Sequence, residues 1–270
     1  MAPDPQRDSA TRERSLSRRT VAKLIGVAAA VSAVLIGFLS DTFRLRFWEQ
    51  PDPPAANDDP PPSQAVVQLP SPQTIRGDQR VETAIADRRS RRAFGERALT
   101  PAEIGQLCWA AQGITQRRAG AVGLRAAPSA GAQYPLELFV VCTDPGIQDV
   151  ASGVFHYDPA DHELERVRDG SFGPQLREIA VDQEFVAEAP LSVVITGVDE
   201  RTMDRYGERG ERRYVPMEAG HAGQNIYLQV ETLDLSTVAV GAFADAELRS
   251  LLAVDEEHRP LYIFPVGSSI

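Results

Sequence analysis

The chain has 270 residues, 43% of them hydrophobic and 24% charged, which suits one globular domain plus a tail. Residues 1–62 hold eight of the 28 basic and eight of the 38 acidic residues, so the net charge of −10 sits wholly in 63–270, as 20 Arg against 30 Asp and Glu, and argues against nucleic acid as the main partner. The sole lysine is Lys23, which excludes a Schiff-base lysine, a pyridoxal cofactor and a phosphate-loop lysine from the body and leaves its cationic contacts to arginine, whose fork suits phosphate and carboxylate.

Residues 1–16 are polar and are expected to be disordered. Ser17-Arg18-Arg19 and Lys23 then precede an uncharged run from Leu24 to Leu39. At ~1.5 Å per residue that run spans roughly 24 Å, slightly short for a bilayer, and the basic residues ahead of it favour a cytoplasmic N-terminus. A signal peptide, an uncleaved anchor and a buried helix are the three readings, and the polar flanks disfavour the last. The segment resembles a twin-arginine signal, with Val21 and Ala22 where Phe-Leu is usual. No clear Ala-x-Ala follows Leu39, so a membrane anchor is expected, with the domain on the non-cytoplasmic side; the cytoplasmic face is the alternative. The expected division is a polar tail (1–23), a hydrophobic anchor (24–48), a Pro-rich acidic linker (49–65) and a globular domain (66–270).

In the body, Val81, Ala84 and Ile85 mark a short helix ending near Arg89. Arg88-Arg89-Ser90-Arg91-Arg92 follows. Four guanidinium groups this close repel one another unless an anion sits among them, and phosphate is the natural one. A solvated basic turn is the competing reading. Thr100-Pro101-Ala102-Glu103 predicts a capping box opening a helix with Ile104, Leu107, Cys108 and Ala111 on one face. Residues 116–124 read as a flexible loop. Pro128, Ser129, Ala130, Gly131 and Ala132 then form a turn of small residues ahead of the apolar strand Leu136–Cys142, a floor on which a flat ligand can rest. Cys108 and Cys142 lie in apolar segments, form no C-x-x-C pair, and are expected to be buried free thiols. Gly153–Tyr157 and Glu163–Val167 flank Asp158-Pro159-Ala160-Asp161 as a β-hairpin. His156 and His162 at its ends lack further ligands at metal spacing, so no metal site is expected.

A helix is expected around Gln175–Ala180, and Leu191–Val198 reads as a buried strand. Glu200–Tyr214 reads as a charged, aromatic loop of the kind that serves as a lid. Met217–Leu235 carries Ala222, Ile226, Val230 and Leu233 at helical spacing, with Gly220 and Gly223 needing a packing reason. Strands are expected over Ser236–Phe243 and Pro260–Gly267, with a short helix at Ala244–Leu252 between them.

Taken together, VQLPSP, RRSRRAF, LCWAAQGIT, APSAGAQYPLELFVV, GVFHYDPADHEL, YGERGERRYVPMEAGHAGQNIYLQ, VGAFAD and PLYIFPVG resemble the nitroreductase superfamily. The closer resemblance is to its SagB/ThcOx-type branch, which includes azoline oxidases. The resemblance covers nearly all of 66–270. It implies an α+β fold, a mixed and mainly antiparallel sheet packed with helices around a long central helix. It also implies FMN held non-covalently between two subunits of a homodimer. By similarity, Arg88, Arg89, Ser90 and Arg92 hold the phosphate, ribityl and pyrimidine edge; Pro128, Ser129, Ala130 and Gly131 lie under the isoalloxazine; Gly241 and Ala242 face its other side.

Two departures stand out. The Lys-Tyr pair that azoline oxidases use as a base is Arg205-Tyr206 here. Arginine stays protonated at any useful pH and is a poor base, whereas Tyr206 can act as an acid. Second, Ser268-Ser269-Ile270 follows the final PVG where many relatives carry a basic residue. The expected function is an FMN-dependent oxidoreductase moving a hydride between flavin N5 and a ring-type substrate: a quinone, a nitroaromatic or a peptide-derived azoline. Its electron donor is NAD(P)H, a quinone pool or a partner protein. The alternative is a flavin-binding protein without turnover, a scavenger or assembly partner.

Overall fold

The chain divides into two units, 1–61 and 62–270. The computed structural model describes residues 65–72, 79–118 and 121–270, all within the second unit. The twin-arginine-like motif, the apolar run and most of the linker lie outside the described residues. Among the described residues no helix is long and apolar enough to cross a membrane.

Seven strands make one sheet: β1 (Val66–Gln68), β4 (Leu136–Cys142), β5 (Gly153–Asp158), β6 (Glu163–Asp169), β7 (Leu191–Val198), β8 (Leu235–Thr237) and β9 (His258–Ser268). Their spatial order is β1-β6-β5-β4-β7-β9-β8, and every neighbouring pair is antiparallel. The central strands read as unbroken apolar runs because both faces of the sheet are covered. Along β4, Leu136, Leu138, Val140 and Cys142 join one core, while Phe139 and Val141 join the other. Along β7, Val193 and Ile195 face the first core and Val194 the second, as the two-residue period requires.

Helices α1 (Val81–Asp87), α2 (Pro101–Gln112) and α6 (Val215–Thr232) pack together; α2 and α6 cover the first face of the sheet. The second face is covered by α3 (Gly173–Ile179), α4 (Glu184–Glu188) and α7 (Asp245–Leu252), through Leu176, Val186, Leu248 and Leu252. The capping box of α2 forms as the sequence predicts: the Thr100 Oγ1 accepts the Glu103 N–H at 3.2 Å, and the Thr100 N–H donates to Glu103 Oε2 at 2.7 Å. Cys108 and Cys142 are free and buried, and burial pushes both thiols up to about 12.

Three sequence expectations need correction. Residues 116–118 and 121–124 belong to two paired antiparallel strands, β2 (Ile114–Arg118) with β3 (Ala121–Arg125), whose bulged register hides the strand alternation. Glu200–Tyr214 is helical: α5 (Glu200–Tyr206) leads through a π-turn at Gly210–Tyr214 into α6. The strand expected over Ser236–Phe243 ends at Thr237, because the Ala239 N–H is taken by the Tyr227 hydroxyl at 2.8 Å; Val240 alone rejoins the sheet, opposite Ile263.

The packing reason for Gly223 is the β9 ring beneath it. A Cβ there would stand 2.8 Å from Phe264 Cζ. Gly223→Ala is therefore expected to lower stability by about 1–3 kcal/mol in spite of alanine's better helix propensity, as overpacked cores do, with chemical denaturation as the measurement. An unchanged or raised midpoint would refute that packing argument.

Candidate active site

The arginine cluster sorts itself by partner. After α1 the chain runs beside β8, with the Arg91 N–H donating to the Thr237 carbonyl at 2.9 Å. The Arg91 side chain turns inward and makes a two-pronged ion pair with Glu231 of α6. Arg88 lies 5.0 Å from the Tyr227 ring centre, and Arg92 lies 5.6 Å from that of Phe185. The Arg89 guanidinium donates to the carbonyls of Ala86 and Arg88, while its backbone N–H donates to Glu231 Oε1 at 3.3 Å. Among the described residues, the guanidinium groups of Arg88, Arg89 and Arg92 make no ion pair with a carboxylate, in a domain where acids outnumber arginines. Three uncompensated guanidinium groups on one short segment are a fit for a phosphate monoester.

Tyr227 ties this segment to the stretch before Gly241. Its hydroxyl shares a 2.9 Å hydrogen bond with the Ser90 Oγ and accepts the Ala239 N–H. Gly241 and Ala242 follow, both exposed, and no heavy atom lies within 4 Å of where a Gly241 Cβ would sit. Sequence reasoning passed over Tyr227. Its place in QNIYLQ, nine residues after Glu218 on one helix, was the available signal.

The small-residue turn forms the other half. The Ser129 Oγ accepts the Tyr134 N–H at 2.9 Å, closing the turn, and Gly131 sits at φ +61°. A Cβ at Gly131 would stand 2.6 Å from the Tyr206 Oη and 3.0 Å from an Arg205 guanidinium nitrogen, so glycine is required by both conformation and space. Arg205 donates to the Gly131 carbonyl at 3.4 Å. The Tyr206 ring meets Tyr214 edge-on, with centroids 4.9 Å apart. Arg205 and Tyr206 are thus brought directly onto the turn Pro128–Gly131, although they lie over 70 residues away in sequence.

The two halves do not meet within one chain. Ser129 faces Glu218, and Ser90 faces Tyr227. Nine helical residues separate Glu218 from Tyr227, which is about 14 Å along α6 and about 180° around it. The arginine segment and the turn therefore lie on opposite sides of the long helix.

Beneath the turn lies a buried acid that sequence reasoning missed. Glu218 is 2% exposed and is surrounded by Ser129, Arg125 and Gln112, yet its Oε1 has no hydrogen-bond partner. Burial pushes its carboxyl up to about 7, only partly opposed by those neighbours.

Comparison with known proteins agrees with this architecture. The family model described as "Nitroreductase family" matches residues 85–268. Protein MJ1384 of Methanocaldococcus jannaschii, whose name places it among nitroreductases, is 41% identical over 204 residues, 76% of this chain and 96% of that one. The microcin B17-processing protein McbC of Escherichia coli is 26% identical over 132 residues, 48% of each chain, so only about half of McbC is matched. A crystal structure of a Ralstonia eutropha chain described as a nitroreductase has a TM-score of 0.64 at 26% identity, covering 82% of this chain and 99% of that one.

Proposed function

The chain belongs to the nitroreductase family, in its SagB-like branch, and from that premise we propose that it is an FMN-dependent oxidoreductase assembled as a homodimer with the cofactor held between copies. The observation that carries this reading is the placement of two complementary half-sites on opposite sides of one helix. One copy offers Arg88, Arg89, Ser90, Arg92, Gly241 and Ala242; the other offers the Pro128–Gly131 turn. A twofold pairing turns two half-sites per chain into two whole sites per dimer. The exposed stripe of α6 supports this pairing: Met217 is 53% exposed, and Gly220 leaves open space beside it for a second helix to approach closely.

Bound there, FMN supplies an isoalloxazine whose N5 accepts or gives a hydride. The residues of this chain bind and orient. Arg88, Arg89 and Arg92 neutralise the phosphate, and Ser90, held by Tyr227, positions the chain that follows it. The small turn would support the ring through its backbone, with Arg205 and Tyr206 at its Gly131 end. Tyr206 holds a proton at its Oη beside Gly131, in reach of a ring lying on that turn, and Arg205 adds a positive charge where electron density builds. The substrate is a quinone, a nitroaromatic or a peptide-derived ring. The domain sits outside the cytoplasm on the anchor at 24–48, so its donor is a membrane quinol or partner protein; a reporter fused after Ile270 that works only in the cytoplasm refutes this.

The full chain, purified in detergent, is expected to show oxidised-flavin absorption bands and to reduce menadione or nitrofurazone. Tyr206→Phe is expected to keep the bands and lower kcat about 10–100-fold with KM little changed, as loss of a positioned proton donor does. Bound flavin with no turnover from any donor would instead make the protein a flavin binder.

A further inference from the structure

A cavity of about 580 Å³ opens between the β2–β3 hairpin, the β5–β6 turn and the start of α5. Three arginines line it, Arg117, Arg125 and Arg201, with Glu137, Asp158 and His156. Three cations against two carboxylates leave one positive charge, and a protonated His156 adds another.

The carboxylates are already committed. Glu137 receives Arg201 at 2.5 Å and His156 Nε2 at 2.9 Å. Asp158 Oδ1 accepts the Ala160 N–H at 2.7 Å, closing the hairpin turn. Two of the arginines make no direct ion pair, although Glu137 and Glu218 lie near Arg125. Arg117 donates to the Ala160 carbonyl at 2.6 Å, and Arg125 donates to Gln112 Oε1 at 3.2 Å, neither in an ion pair. Arg125 is half-buried, packs over the Tyr134 ring at 5.1 Å, and its buried Nε has no hydrogen-bond partner. A buried donor left unmade costs free energy. Two arginines outside any direct ion pair on one cavity wall offer guanidinium donors to an anion.

From this we propose that the cavity is a carboxylate-binding site, in which Arg125 and Arg117 take the anion and the Arg201–Glu137–His156 chain holds the wall in place. A carboxylate presents two oxygens to one guanidinium fork. The site touches the turn through Tyr134. The Arg201 guanidinium donates to the Tyr134 carbonyl at 3.2 Å, and the Tyr134 hydroxyl accepts the Arg125 N–H at 3.4 Å. A substrate anchored there by its carboxylate would therefore lie next to Gly131 and Tyr206. That use as an anchor rests on the flavin reading; the carboxylate site itself does not.

The test is calorimetric titration of the full chain, in detergent, with hippurate and with its amide, hippuramide. Hippurate is expected to bind and hippuramide to bind at least tenfold more weakly. Arg125→Gln is expected to weaken hippurate at least tenfold and Arg117→Gln about three- to tenfold, while the flavin bands stay as in the parent chain. Arg117 is exposed, so its variant remains informative if the Arg125 variant fails to fold. N-acetylglutamic acid α-amide, tested alongside, assigns the carboxylate to a side chain if it binds as tightly as hippurate and to a chain end if it does not. Equal binding of hippurate and hippuramide, or hippurate binding that ignores both substitutions, overturns the proposal. Loss of flavin with hippurate binding intact would defeat the flavin reading and leave this site standing.

Discussion

The double variant Arg88→Gln/Arg92→Gln is expected to emerge from purification colourless. Each hydrogen bond from a guanidinium to a dianionic phosphate is worth roughly 1.5–3 kcal/mol, so losing two weakens FMN binding by about 10²–10⁴-fold. The fold should survive, because neither side chain holds a carboxylate or fills the core. Arg88 rests on the Tyr227 ring and Arg92 on the Phe185 ring. Arg91 is the internal control. It is tied to Glu231, so Arg91→Gln leaves a mostly buried carboxylate unmatched and should destabilise the domain rather than act only on the cofactor. Fluorescence titration with FMN, run beside thermal melts, separates the two effects. If the double variant keeps its flavin at parental affinity, the phosphate is held elsewhere.

Glu218→Gln is expected to be more stable than the parent chain at pH 8 by about 2–3 kcal/mol, and equal to it at pH 4. Unfolded, the Glu218 carboxyl titrates at its ordinary 4.5; folded, at about 7. Below 4.5 both states hold the proton and nothing is lost. Between 4.5 and 7 the unfolded chain releases it while the folded chain retains it, so stability falls as pH rises. Above 7 the penalty is constant, with an upper figure of about 3.4 kcal/mol at 1.36 kcal/mol per unit. Glutamine keeps the shape and removes the charge. For a domain of this size the gain at pH 8 corresponds to roughly 5–10 °C in Tm. Melting curves from pH 4 to 8 on both chains check it, and parallel curves would mean that Glu218 does not carry the burial cost assigned to it.

The expected fold was legible because the signals that made it are local. β7 announces itself as LSVVITGV because all eight residues are buried, and Thr100-Pro101-Ala102-Glu103 caps α2 with atoms three residues apart. The errors arose where the deciding contact is distant in sequence. Glu200–Tyr214 has the composition of a loop, yet it is helical, with Arg201 and Arg205 both bonded to the turn at 131–134. β8 stops short because a tyrosine on α6 claims the Ala239 N–H.

By itself, the sequence determined most of the secondary elements, the family, and an acidic, nearly lysine-free body in which arginine must meet any anion. Only the tertiary structure decided which arginines remain free, since Glu231 takes Arg91 and leaves its neighbours. It alone brought Arg205 and Tyr206 to Gly131, buried Glu218 under Ser129, and set the half-sites on opposite sides of α6. The reason is physical: periodicity and capping are written within a few residues, whereas neutralisation, desolvation and approach depend on which distant groups the fold packs together.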